Sequence, residues 1–189
     1  MRIIAGRHRG RRLQAPRGSS TRPTSDRVRE ATFDLLQHGE AAVDLTGLFV
    51  VDAFAGTGAF ALETLSRGAA YAVCLDHSAQ AIAAIRANAD LLGETQAVTV
   101  LQCDLRRPRL PPPRLATGCA LAFLDPPYGQ ALWSSALTAL AVGGWLAANA
   151  IVVVEMESSE SFFLPADFGL VKERHYNKTR IAILRWEVR

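Results

Sequence analysis

The chain reads as an α/β protein with a mostly parallel, seven-stranded, Rossmann-like sheet, closed by an antiparallel C-terminal hairpin and preceded by a basic N-terminal arm. Three observations predict this. After Gly47, short apolar runs alternate with helical patterns, the signature of βα units and a parallel sheet. The first run, Leu48 to Val51, passes through Asp52-Ala53-Phe54-Ala55-Gly56-Thr57-Gly58 into a helical pattern, giving strand, glycine turn and helix in succession. Residues 168–173 and 180–188 alternate apolar and polar side chains as the strands of a hairpin do.

In chain order, Ile3, Ile4 and Leu13 punctuate the opening arginines and predict a short hairpin around Gly6 to Gly10. Pro16, Gly18, Ser19, Ser20 and Pro23 make residues 16–24 a loop. Thr24 or Ser25 caps a helix from Asp26 to about Gln37. Its Val28, Ala31, Phe33, Leu35 and Leu36 form an apolar face expected to pack beside the entrance of a ligand pocket. The alternation then predicts strand 48–54, helix 59–67, strand 71–75, helix 78–91, strands 97–103 and 119–124, helix 131–141 and strand 150–155. Between Arg106 and Arg114 the proline-rich, basic run reads as a stiff surface connection. The expected organisation is a basic arm over residues 1–24 and one domain over 25–189.

Composition sets limits on this picture. With 189 residues and 49% apolar content, the chain can bury one substantial core. No apolar stretch is long and uninterrupted enough to span a bilayer, and Met1-Arg2-Ile3-Ile4 is followed by charge, so a soluble cytoplasmic protein is expected. Cys74, Cys103 and Cys119 lack metal-ligand spacing and read as reduced core residues. His8, His38, His77 and His175 are dispersed, so no metal is expected. The net charge of +3 is unevenly spread: residues 1–29 hold nine arginines against Asp26 alone, net +8, and the remainder holds 12 basic and 17 acidic residues, net −5. An arginine-rich segment on a slightly acidic body is the footprint of phosphate binding, and Arg2, Arg7, Arg9, Arg11, Arg12, Arg22 and Arg27 are the expected nucleic-acid contacts.

The chemistry-bearing residues fall at predicted strand ends, where open α/β sheets place their ligand crevices. Asp125-Pro126-Pro127-Tyr128 directly follows the apolar run Ala120 to Leu124. Asp125 and the Pro126 carbonyl can accept hydrogen bonds from an exocyclic base amine, whose lone pair is otherwise delocalised, and turn that lone pair toward an electrophilic methyl. Pro126 and Pro127 hold the acceptors rigidly. Tyr128 can stack on a base that has left its helix, returning about 1 to 3 kcal/mol. These four residues read as the catalytic set of an amino-group methyltransferase; the plainer alternative is a strand-ending turn with a capping Asp.

A cofactor set completes the pattern. Gly56, Gly58 and Ala61 satisfy G-x-G-x-x-A, a weak signal that suits a dinucleotide equally. Asp76 follows Gly56 by 20 positions and can accept from both ribose hydroxyls, and Asp104 can accept from an adenine amine. Asp52 precedes the glycines, where it favours a cationic ammonium and disfavours a pyrophosphate. Phe54, His77 and Leu105 stand beside these positions. Each acid alone also suits a helix cap, but four at successive strand ends point to S-adenosylmethionine as cofactor, hence to a class I S-adenosylmethionine-dependent methyltransferase fold. Glu63, one turn into the following helix, reads as a solvated acid.

Several separate segments resemble the RsmD-like family, the bacterial 16S ribosomal RNA guanine-N2 methyltransferases. They are Arg2 to Gly6 with Gly10 and Leu13; Arg22-Pro23-Thr24 with Asp26 to Glu30; Asp52 to Gly58; Leu62-Glu63 with Leu65 to Ala69; and Asp125 to Tyr128. The glycine turn and the Asp-Pro-Pro-Tyr tetrad are common to many amine methyltransferases, whereas the arginine-rich start and the Arg-Pro-Thr-x-Asp-Arg-Val-Arg-Glu segment are particular to this family. The resemblance implies guanine N2 as acceptor, and ribosomal RNA or an assembling small subunit as partner. Asp76 stands where the family often has Glu, and Tyr176-Asn177-Lys178-Thr179 replaces its Tyr-Gly-x-Thr turn. The alternatives are an amino-methyltransferase acting on DNA adenine or protein glutamine, a nicotinamide oxidoreductase, which leaves Asp52 and the tetrad unexplained, and a noncatalytic RNA-binding protein, which explains the arginines alone. The sequence leaves the oligomeric state open.

Overall fold

The computed structural model describes residues 1–15, 26–127, 129 and 132–187. The predicted loop 16–24, its capping residues, Arg22 and Tyr128 lie outside the described residues. The elements run α1 (Asp26–Gln37), β1 (Phe49–Ala53), α2 (Ala59–Ser66), β2 (Tyr71–Asp76), α3 (Ala79–Leu92), β3 (Val98–Gln102), β4 (Cys119–Leu124), α4 (Leu132–Val142), β5 (Leu146–Glu157), β6 (Phe168–Tyr176) and β7 (Thr179–Trp186). The sheet has the order β3-β2-β1-β4-β5-β7-β6, parallel apart from β7, which is antiparallel to both its neighbours.

The apolar runs become strands because both sheet faces are covered, so Val, Leu and Ala can be buried on either side. On one face, α1, α2 and α3 cover a core containing Phe33, Leu36, Val50, Leu62, Ile85, Leu121 and Phe123. The other face carries α4 over Val51, Val73, Leu75, Leu137, Trp145 and Val152. Phe60 stacks on Phe123 at 4.7 Å between ring centroids, with Phe33 5.8 Å from Phe123, which fixes α1 and α2 over β4. No helix among the described residues is long and apolar enough to cross a membrane.

Strand order reverses between β1 and β4, where Asp52 lies level with Phe123 and Ala53 with Leu124. Open α/β sheets place their ligand crevices at such a switch point, outside the carboxyl ends of the strands. The glycine turn depends on its glycines for two different reasons. Gly56 (φ +55°) and Gly58 (φ +76°) both take the left-handed conformation, and a Cβ on Gly58 would also stand 3.2 Å from Ile85 of α3.

Several expectations are corrected in detail. β5 starts at Leu146 rather than 150 because Cys119 pairs with Leu146 ahead of a register shift. The Asn177-Lys178 turn closes tightly: Tyr176 pairs with Thr179, and Asn177 takes the left-handed conformation, φ 55°, open to Asn as well as Gly. Cys74 and Cys119 are buried, but Cys103 is half-exposed.

The basic start lies against the body. Arg2 and Arg12 form an antiparallel bridge around the expected turn, and Ile3 and Leu13 are buried in the core beside α2 and α3. Glu63 makes this docking possible and is not the solvated acid expected. Its carboxylate is fully buried and accepts from the Ile4 amide at 2.7 Å, the Ala5 amide at 2.9 Å and Arg67 Nε at 2.8 Å. Gly6 then passes so close to the end of α2 that a Cβ would overlap the Ser66 carbonyl. Asn88 of α3 joins the same segment to the glycine turn, bonding Gln14 through both amide atoms and donating to the Thr57 carbonyl at 2.9 Å.

Candidate active site

Four carboxylates line the carboxyl edge in spatial order. Asp104 follows β3, Asp76 ends β2, Asp52 lies near the end of β1, and Asp125 is the first residue after β4. The fold therefore gathers acids separated by up to 73 positions in sequence, 52 to 125, onto four neighbouring strand ends.

Asp52 points to the α2 side of the sheet and accepts from the Ala61 amide at 3.0 Å. Burial drives its carboxyl pKa well above the ordinary range; the Ala61 bond and Arg29 pull it down, and the charges of Asp125 and Asp76 push it further up. Asp76 is also buried and accepts from the Gly56 amide and the Ser78 amide, each at 2.9 Å. It thus ties the glycine turn to the start of α3. Asp52 lies within the field of Asp125 and Asp76, an acidic setting suited to a cationic ligand and hostile to a pyrophosphate.

Asp104 is exposed and paired with Arg106 at 2.7 Å, which holds its pKa at about 2. His77 is exposed, with Nδ1 3.6 Å from Asp76, and Leu105 is buried. Phe54 is half-buried and adopts φ 64°, a left-handed conformation costing about 1–3 kcal/mol for such a residue, of the kind that concentrates at ligand sites.

Asp125 is half-buried, with its amide 3.5 Å from the Ala53 carbonyl; Pro126 is buried and Pro127 exposed. The first two positions of the tetrad are therefore held by the sheet while the third faces outward. Tyr128 remains a residue singled out by sequence.

The expected RNA-contacting arginines divide into two groups. Arg7 is drawn to Glu94 at 2.5 Å, sharing it with His8, while Arg2 lies 3.8 Å from Asp26 and Arg11 donates to the Leu91 carbonyl. Arg9, Arg12 and Arg27 are exposed. Burial alone would raise the Glu94 pKa, but hydrogen bonds from His8 and Arg7 outweigh it and bring the group below its ordinary value. Two buried residues, Arg29 and Glu63, were not legible as such, because the Arg2 carbonyl and the Ile4 and Ala5 amides that draw them inward lie far away in sequence and carry no side-chain signal.

Together, element order and sheet topology define a Rossmann-like fold of the class I methyltransferase type. The model of the family described as conserved hypothetical protein 95 matches residues 1–185, and the chain belongs to that RsmD-like family. It is 34% identical over 182 residues to ribosomal RNA small subunit methyltransferase D of Escherichia coli, covering 92% of this chain and 84% of that one. The Haemophilus influenzae protein of the same description is 32% identical over 179 residues, covering 92% and 88%. A solved Escherichia coli chain, provisionally described as a methyltransferase, superposes with a TM-score of 0.81 at 30% identity over 100% of this chain and 99% of that one. An RNA methyltransferase from Salinibacter ruber, solved with S-adenosyl-L-homocysteine, shares the fold at a TM-score of 0.64 and 14% identity, over 89% and 95% of the two chains.

Proposed function

We propose that the protein transfers a methyl group from S-adenosylmethionine to the exocyclic N2 amine of a guanine in small-subunit ribosomal RNA, in the cytoplasm where that RNA is assembled. The observation that carries this reading is the row Asp104, Asp76, Asp52, Asp125 along one sheet edge, ending in Asp-Pro-Pro. The ribosomal substrate is supported by the family and by the names of its relatives.

The bound donor supplies a sulfonium methyl to an incoming nitrogen. Asp52 faces the ammonium of its methionine end, the Gly56–Gly58 turn gives its backbone close approach, Asp76 accepts from the ribose hydroxyls and Asp104 from the adenine amine. Phe54, His77 and Leu105 flank it. Asp125 and the Pro126 carbonyl accept from the guanine amine and orient its lone pair toward the methyl, while Tyr128 stacks on the base. Rate acceleration then comes from positioning and from fixed acceptors rather than from a covalent protein intermediate. Arg9, Arg12 and Arg27, with Arg22, grip phosphates around the target.

The test is transfer of tritiated methyl from S-adenosylmethionine into small-subunit RNA and partly assembled subunits from cells lacking this protein, followed by nucleoside analysis. Labelled N2-methylguanosine is expected. Label confined to DNA or protein would overturn the substrate and leave the donor site standing.

A further inference from the structure

Arg29 stands on the buried face of α1 with no exposed surface. Its Nη2 donates to the Arg2 carbonyl and, at 3.2 Å, to Asp26. Nε and Nη1 are buried without a hydrogen-bond partner among the described residues. An intact fold rarely leaves such donors unfilled, and each orphan calls for a water, an ion or a ligand group to complete it.

The helix's contacts locate these donors. At the C-terminal end of α1, Gln37 meets Arg67 just past the far end of α2. At the N-terminal end, Arg29 touches Arg2, whose neighbour Met1 receives a hydrogen bond through its sulfur from Thr57 of the glycine turn. The helix α1 therefore runs alongside α2 with its first turn at the carboxyl edge of the sheet. Phe33 packs on Phe123, so Arg29, about 5 Å or one turn nearer the N-terminus, lies level with the point where β4 gives way to Asp125. The Arg29 charge lowers the Asp52 pKa, the smallest of the influences acting on it. Glu63 is already filled by Arg67 and two amides, so it leaves the Arg29 nitrogens unanswered.

We propose that Arg29 binds the carboxylate of the donor's methionine end, opposite Asp52, which receives the ammonium of the same end. The inference rests on S-adenosylmethionine being the donor, as read above. An amino-acid end carries its two charges on one carbon, so its receptor needs a cation and an anion close together in a shielded place. Arg29, with two unfilled buried donors at the carboxyl edge, would supply the cation and buried Asp52 the anion, and a charge-assisted bond there would fix the direction in which the sulfonium end lies.

Calorimetric titration of the full chain with two ligands tests this. S-adenosylhomocysteine carries the amino-acid end, and 5′-methylthioadenosine shares the thioether nucleoside but lacks that end. Arg29→Gln is expected to weaken S-adenosylhomocysteine on the order of 10- to 100-fold, the worth of one hydrogen bond to a charged group, and to leave 5′-methylthioadenosine within about twofold. Equal weakening of both ligands, or of neither, would overturn the assignment. An arm in unsubstituted protein holds even if the variant does not fold: S-adenosylhomocysteine amidated at its carboxyl should bind more weakly by a similar factor, and undiminished binding would refute the proposal. Unsubstituted protein that binds none of these nucleosides would instead remove the donor assignment on which the proposal stands.

Discussion

Asp76 Oδ2 accepts the Gly56 amide at 2.9 Å, so the acid that ends β2 holds in place the turn that follows β1. Its other oxygen takes the Ser78 amide at the start of α3. A residue expected to serve the ribose also shapes the loop that receives the rest of the donor. Asp76→Ala should therefore weaken S-adenosylhomocysteine and 5′-methylthioadenosine together, by about 10-fold or more. Calorimetry on both ligands checks this, and loss confined to one would separate the ribose role from the loop role.

Asp125→Ala removes the acceptor and the charge together. Methyl transfer should fall by about 100-fold or more, as for loss of a group acting on the reacting atoms. S-adenosylhomocysteine affinity should not fall, because Asp125 lies on the acceptor side. The same substitution removes one charge that raises the Asp52 pKa. Single-turnover rates and equilibrium titration, run on one preparation, distinguish the two effects; an unimpaired rate would sink the catalytic assignment.

The raised pKa of Asp52 makes donor binding pH-dependent. The free protein holds the carboxyl protonated to a higher pH than an ordinary Asp, and a cationic ammonium favours the ionised form. Affinity should rise with pH through the raised pKa, with release of a proton on binding, measurable by calorimetry in buffers of different ionisation enthalpy. For folding the sign is opposite: native Asp52 binds its proton more tightly than in the unfolded chain, so its contribution to stability falls as pH climbs from 3.8 through the native value. Asp52→Asn should melt no lower than the parent near neutral pH, yet bind donor poorly.

Glu63→Ala strands two backbone amides and Arg67 in a buried place. Removing one partner of a buried ion pair costs about 3–5 kcal/mol, enough to lower the melting temperature by about 10 °C. Thermal denaturation followed by circular dichroism reads this directly. A shift under about 2 °C would show that the N-terminal segment is held chiefly by Ile3 and Leu13 instead.

Arg9→Ala with Arg12→Ala tests RNA contact without undocking the segment, since both side chains are exposed while Ile3 and Leu13 anchor it. Each lost phosphate contact should flatten the slope of log affinity against log salt by roughly 0.7 to 0.9. An unchanged slope would remove these two residues from the interface.

The sheet and its edge of acids were legible because buried parallel strands leave continuous apolar runs, and the acids terminate those runs. Helix α1 was bounded correctly at Asp26 and Gln37 for a similar reason, its apolar spacing. Glu63 was not legible: a glutamate on a helix looks solvated, and the Ile4 and Ala5 amides that claim it are 59 and 58 residues away and carry no side-chain signal. The early start of β5 was hidden because its first turn of sequence, Leu146-Ala147-Ala148-Asn149, is half-exposed and lacks β-branched residues. Arg29 could be counted as a charge in the sequence, but nothing local announced that helix packing would submerge it.

The position of β7 bears on how this chain tolerates cutting. Although β7 follows β6 in sequence, it lies between β5 and β6, making seven-residue pairings with one and an eight-residue ladder with the other. Loss of β7 would remove an inner plank rather than trim a margin. β6 would have no partner, and the apolar flank of β5 would be left open to strands of other molecules. Truncations that stop short of Thr179 should therefore surface as insoluble protein, long before any question of methyl transfer arises.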